Sequence, residues 1–318
     1  MTDWRDEPLK LFSAGVNTSF PIGGTVYNRC TESEQRKRDS IVWYLESYHY
    51  IHKQSMVDRM RKLGVQVFLD SGAFSAMTQG VTIDIGAYCD YIIRNDDFIL
   101  KVDGINVASV LDHIGTGWQA AEATWKNQQE MEARGAKPLP CFHFGEPVEF
   151  LDFYAQNYPY ITLGGLVGKS AKVIEAWLDS LWERLVDSDG RPITRVHGFG
   201  LTSLPLMMRY PFYSVDSSTW VQWASRGLVL EPLNGWQINI SAQSSARKVE
   251  GMHIDTIPAP QREALEEIFR AQDIDTQRMR DTYVARWAWD VWAFPEFARL
   301  REPPAPRTFK REQKGLFF

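Results

Sequence analysis

Residues 160–187 read YITLGGLVGKSAKVIEAWLDSLWERLVD, and they form one complete unit of a repeating plan. A short apolar, β-branched run at 160–163 meets two glycines. Ser170 then stands at the head of a stretch with apolar residues at helical spacing, and Ser188-Asp189-Gly190 ends it. A buried strand followed by a glycine turn and a capped helix is the element pair of a parallel sheet covered by helices.

The same alternation recurs on both sides. Candidate strands lie at 9–14, 65–69, 105–111, 139–144, 194–199 and 212–215, in addition to 160–163. Between them run amphipathic stretches such as DSIVWYLESYHYIHKQSMVDRMRKLG and TGWQAAEATWKNQQEMEARG, both read as helical, the second opening at Thr116 and closing at Gly135. Seven strand signals, with one expected to have escaped notice, suggest a (β/α)8 barrel, the alternative being a doubly wound open sheet. The chain of 318 residues is long enough for such a barrel as one domain. The barrel is expected over residues 1–257. After Arg226 the periodicity weakens, consistent with a small hairpin or loop. Ile257-Pro258-Ala259-Pro260 then introduces a C-terminal helical extension and basic tail, 258–318. Its tryptophans Trp287, Trp289 and Trp292 read as packing residues in preference to base-stacking ones.

Composition narrows the function classes. With 44% hydrophobic and 24% charged residues the chain reads as an ordinary soluble protein, and it has no apolar run long enough to span a bilayer. The start, MTDWRDEPLK, lacks the apolar core of a secretory signal. Three widely spaced cysteines, Cys30, Cys89 and Cys141, suggest reduced thiols and a cytoplasmic location. No two cysteines lie close together, so neither a metal site nor any cofactor is expected. The net charge of −5 argues against a general nucleic-acid binder. From Arg278 onward, however, nine Arg/Lys face five Asp/Glu, a basic end on an acidic body that suits phosphates or simple solvation.

In a barrel the C-terminal ends of strands carry the chemistry. Here they hold Asp70, Asp112, His143, Gly164-Gly165, the segment 197–200 and Asp216. GGLVGKS misses the phosphate-loop spacing, because Leu163 occupies the first glycine position. HGFGLTS has Ser203 where a dinucleotide fingerprint needs its third glycine. The carboxylates say more. Asp70 in FLDSGAF and Asp216 in YSVDSSTW end two strands, each followed by small or hydroxyl residues. Either alone would serve as a helix cap. As a pair, with Asp112 on a third strand, they suit chemistry at an anomeric carbon, one attacking or stabilising positive charge and the other moving a proton. Asp112 can accept the two parallel N–H groups on the Watson–Crick edge of a guanine, and Phe74 can stack on such a base. Ser71, Gly72, His143, His197 and Phe199 complete the expected substrate contacts, although strand-end histidines also serve simply as hydrogen-bonding residues.

Taken in order, FLDSGAF, SVLDHIG, TLGGLVG, VHGFGLTS and FYSVDSSTWVQWASRG resemble the tRNA-guanine transglycosylase superfamily, over residues 65–227. The likeness is greatest to archaeal-type members and to the phage and bacterial relatives that place 7-deazaguanines in DNA. It implies a (β/α)8 barrel that exchanges guanine in a polynucleotide for a free 7-deazaguanine base. It also implies Asp216 as the nucleophile, Asp70 in proton transfer and base positioning, and Asp112 as the base reader. Phe74 would stack, and Gly164, Gly165 and Leu166 would contact the base. The family's base-contacting glutamine has no clear equivalent, His143 or Phe144 lying near its place. tRNA enzymes of the family carry a zinc-binding cysteine cluster after the nucleophile, whereas this chain has no cysteine beyond Cys141. The zinc subdomain is therefore expected to be absent, which favours DNA over tRNA. Base flipping would be required for a duplex, with helper proteins a possible requirement. Lys169, Arg209, Arg247, Lys248 and the basic tail are the expected phosphate contacts. A phage-encoded chain would act in the host cytoplasm. The other readings are a tRNA-guanine transglycosylase, a nucleoside or glycoside hydrolase using the same carboxylates, and a non-catalytic nucleic-acid binder.

Overall fold

The computed structural model describes residues 3–201 and 203–307. The part of the basic tail that lies in 308–318 is outside them. Eleven strands occur among the described residues: β1 (Lys10–Ala14), β2 (Tyr44–Ser47), β3 (Val67–Asp70), β4 (Lys101–Val102), β5 (Ile105–Asn106), β6 (Cys141–His143), β7 (Tyr160–Gly164), β8 (Arg195–Gly198), β9 (Ser214–Ser217), β10 (Leu228–Glu231) and β11 (Trp236–Asn239). The fold is mixed α/β, with strands that pair in parallel and alternate with helices. No helix among the described residues is long and apolar enough to cross a membrane.

The described residues divide into two compact units, a division that does not follow the boundary at 257. One unit takes 3–9, 47–216 and 302–307; the other takes 10–46 and 217–301. In the first, parallel bridges connect Val67 with Ile99, Leu69 with Ala108 and Ser109 with Leu139. From there β6 pairs with β7, β7 with β8 and β8 with β9, all parallel. Helices Gly117–Ala133, Val148–Asn157 and Ala171–Leu185 connect successive strands. Ser170 accepts the Val173 N–H as the expected cap, whereas the Thr116 side chain makes no capping bond to its helix. The expected strand 105–111 is shared between two structures. Asp103 and Gly104, both at positive φ, turn the chain so that β4 and β5 pair as an antiparallel hairpin, and only Ala108 and Ser109 bridge to the parallel strands.

In the second unit β1 pairs with β2 in parallel, Ser13 opposite Tyr44. This corrects the reading of the stretch beginning at Asp39 as helical. Its five consecutive apolar residues, 41–45, favour a strand, and β2 takes the end of that run. Short helices Tyr48–Ile51 and Gln54–Lys62 follow β2. The weakly periodic segment after Arg226 folds as the antiparallel hairpin of β10 and β11. Helix Tyr283–Arg299 packs on β1, β10 and helix Glu32–Asp39, which is why the C-terminal helices join this unit instead of forming an appendage. Trp289 is fully buried within it, and its indole N–H donates to the Leu230 carbonyl at 2.8 Å.

Candidate functional site

The end of β3 is built around Asp70. The Gly72 N–H donates to Asp70 Oδ2 at 3.1 Å, and the Ser109 hydroxyl lies 3.5 Å from Oδ1. Gly72 has φ +80, and a Cβ there would lie 2.2 Å from Ser47 Oγ and 2.6 Å from His49 Cβ. No side chain fits, so the turn that returns the chain to Asp70 needs glycine. Burial pushes the Asp70 carboxyl up to about 7. Repulsion from Asp112 and Asp216 adds to the effect, while the bonds from Gly72 and Ser109 oppose it. Phe74, on helix Ala73–Thr78, keeps 45% of its surface exposed.

Ser71 connects this turn to the next carboxylate. Its N–H donates to Ser109 Oγ at 2.9 Å, and its hydroxyl donates to Asp112 Oδ1 at 3.0 Å. The other Asp112 oxygen lies 2.8 Å from His143 Nε2. Burial alone would raise Asp112, but His143 and the Ser71 hydroxyl hold it below the usual carboxylate range. His143 is itself clamped. Its backbone N–H donates to Glu146 Oε2 at 2.8 Å, and its Nδ1 lies 3.4 Å from Glu146 Oε1. Burial disfavours a charged ring, yet the Cys141 sulfur, Asp112 and Glu146 around it push His143 well above the ordinary histidine value.

Asp112, Cys141 and His143 are also the one group among the described residues whose donor atoms could share a metal ion, lying within 4.8 Å of one another. Cys141 and His143 alternate along β6 and so share a face, a period-2 signal that the sequence carries in CFH. The His143 nitrogen that would bind the ion is the one now bonded to Asp112, so a metal and a base-reading Asp112 are competing uses of this corner.

Asp216 ends the constellation on β9 and is only 6% exposed. Its Oδ1 accepts the Gly200 N–H at 2.8 Å and lies 3.2 Å from His197 Nε2. The opposed pairs of β8 and β9, His197 with Ser214 and Gly198 with Val215, bring these residues together. His197 is fully buried, with ring centroids 4.4 Å from Phe68 and 4.7 Å from Phe199. Burial outweighs the neighbouring carboxylate and lowers its pKa below the ordinary histidine value.

Asp70, Ser71, Gly72, Phe74, Asp112, His143, Gly164, Gly165, Leu166, His197, Phe199 and Asp216 all lie in one unit. The two glycines have a packing reason of their own. A Cβ on Gly164 would come within 2.9 Å of the His143 ring, and one on Gly165 within 2.9 Å of the Phe144 backbone nitrogen. Leu166 is buried. Of the expected phosphate contacts, Lys169 places its Nζ 4.9 Å from the Phe144 ring centre, and Arg209 is paired with Asp179 and Glu175. Arg247, paired with Asp255, and Lys248 belong to the other unit. Glu146, Ser109 and Cys141 are partners that the sequence reading missed. No family model matches this chain, and no curated protein matches it.

Proposed function

We propose that the chain is a DNA-guanine transglycosylase, built on a closed (β/α)8 barrel, that exchanges guanine in DNA for a 7-deazaguanine base. The observation that carries the reading is the gathering of Asp70, Asp112 and Asp216 in one unit, where burial, with repulsion from Asp112 and Asp216 added to it, raises the Asp70 carboxyl to about 7. Groups whose environments drive their proton affinities apart mark acid, base and nucleophile roles.

In this mechanism Asp216 attacks C1′ of an extruded deoxyguanosine. The C1′–oxygen bond forms as the C1′–N9 bond breaks, and the electron pair leaves on the base. Asp70 supplies the proton the departing guanine takes up, since a carboxyl near 7 holds a proton in part of the population and can recover it. The incoming 7-deazaguanine returns its N9 proton to Asp70 and displaces Asp216, regenerating the carboxylate. Two displacements retain the anomeric configuration. Asp112 accepts N–H groups of the base through lone pairs that Ser71 and His143 leave unused, and those two neighbours fix its plane. Phe74 covers the base.

The test offers DNA and tRNA, separately, to the protein with a radiolabelled 7-deazaguanine. Label should enter DNA, a denaturation-stable protein–DNA adduct should form, and Asp216→Ala should abolish both. Undiminished incorporation by Asp216→Ala overturns the assignment. Label entering tRNA alone, or base release without any acceptor base, would establish the tRNA or hydrolase reading instead.

A further inference from the structure

Asp216 is the terminus of a line of buried side chains that the chemistry above does not use. The Tyr160 hydroxyl on β7 lies 2.6 Å from Ser214 Oγ on β9. Ser214 Oγ lies 2.7 Å from His197 Nδ1 on β8, and His197 Nε2 lies 3.2 Å from Asp216 Oδ1. Tyr160, His197 and Ser214 are all buried. Parallel register carries the line from strand to strand, with Thr162 opposite His197 and His197 opposite Ser214.

Donor chemistry gives the line a direction. A carboxylate has no proton to give, so His197 Nε2 donates to Asp216. A ring kept neutral by burial then has its lone pair on Nδ1, which takes the Ser214 hydroxyl proton. Ser214, its proton committed, accepts from Tyr160. Every donor therefore points toward Asp216, and the rings of Phe68 and Phe199 hold the imidazole in place.

The line and the Gly200 N–H meet Asp216 on the same atom, Oδ1. We propose that Tyr160, Ser214 and His197 are positioning residues that hold Asp216 by Oδ1 and thereby assign Oδ2 as the oxygen that bonds to the substrate carbon, an inference that rests on Asp216 being the nucleophile. When Oδ2 forms the ester and the C1′–N9 pair leaves with the base, Oδ1 becomes the ester carbonyl oxygen. It keeps both hydrogen bonds throughout. When the second base displaces the carboxylate, the same two donors stabilise the charge that returns to Asp216. Attack through Oδ1 would instead forfeit them.

Two measurements on the full chain test this. In nitrogen-15 histidine spectra His197 should be the Nε2–H tautomer, and Ser214→Ala should shift its Nδ1 resonance; an Nδ1–H tautomer overturns the proposal whether or not the protein is active. In steady-state base exchange, His197→Phe should lower kcat by ~100-fold, the scale on which an orienting partner acts, and change KM for DNA by less than about 3-fold. His197→Gln, whose amide N–H can reach Asp216, should recover about 10-fold of that loss, and Ser214→Ala should lower kcat by about 3- to 10-fold. Unchanged kcat in His197→Phe, or equal loss in the Phe and Gln variants, overturns the positioning role. If His197→Phe does not fold, the tautomer and Ser214→Ala decide. A wild-type protein inactive on both polymers removes the transglycosylase reading, while the spectra still judge the direction of the hydrogen-bonded line.

Discussion

Asp70 carries a measurable consequence of its surroundings. The folded chain holds the Asp70 proton up to about pH 7, whereas the unfolded chain releases it near the ordinary aspartate value of 3.8. Between those values the folded state binds more protons than the unfolded one, so this group makes stability fall as pH rises from about 4 to about 7. Asp70→Asn keeps an oxygen for the Gly72 N–H and titrates nowhere in that range. Its melting temperature should therefore match wild type near pH 4 and exceed it by a few degrees at pH 8, while base exchange falls by at least about 100-fold. Thermal melts of both proteins from pH 4 to pH 8 check this, and a difference independent of pH removes the buried-proton account. Asp70, Asp112 and Asp216 were legible in the sequence because each interrupts an apolar run at its end. Tyr160 and Ser214 were not: a tyrosine inside a strand reads as core, and its hydroxyl partner lies 54 residues away. Glu146 was hidden in a turn, where a carboxylate ordinarily faces water.

At the scale of elements, strand-helix alternation was readable wherever a run of β-branched residues met a glycine or an aspartate. It failed at Tyr44–Ser47, where the aromatic residues that fit the face of a helix also suit the buried strand β2, while Tyr48–Ile51 and Gln54–Lys62 of the same stretch are helical. The tryptophan-rich helix Tyr283–Arg299 was read correctly as a packing element. Its depth was not, since no local pattern shows that Ser13 on β1 will donate to the Val291 carbonyl at 3.4 Å or that Leu230 will donate to Asp290 at 2.9 Å. The helix should therefore be indispensable to the unit that contains β1. Trp289→Ala removes a fully buried ring packed 4.8 Å from Phe269 and leaves the Leu230 carbonyl without its donor. It should lower stability by about 3 to 5 kcal/mol. Urea unfolding followed by tryptophan fluorescence measures the loss. A loss below about 0.5 kcal/mol, the range of surface substitutions, would mean that the helix is a dispensable appendage.

For the molecule as a whole, the difficulty is a chain of net charge −5 that is proposed to hold a polyanion. Its cations are not equivalent. Arg209 is committed to Asp179 and Glu175, and Arg247 to Asp255, which also pairs with Arg280. Among the described residues, Lys169 and Lys248 enter no ion pair. Lys169 stands beside the glycine turn that follows β7, in the same unit as the three carboxylates. If a phosphate rests there, Lys169→Gln removes one released counterion and flattens the dependence of log affinity on log salt by about one. Arg209→Gln should leave that slope unchanged and instead lower the melting temperature, because its charge serves Asp179 within the fold. Titrations of single-stranded DNA between about 50 and 200 mM salt distinguish the two. Equal slopes for Lys169→Gln and wild type would place the phosphate contacts elsewhere on the chain, with the basic end after Arg278 next to be tested.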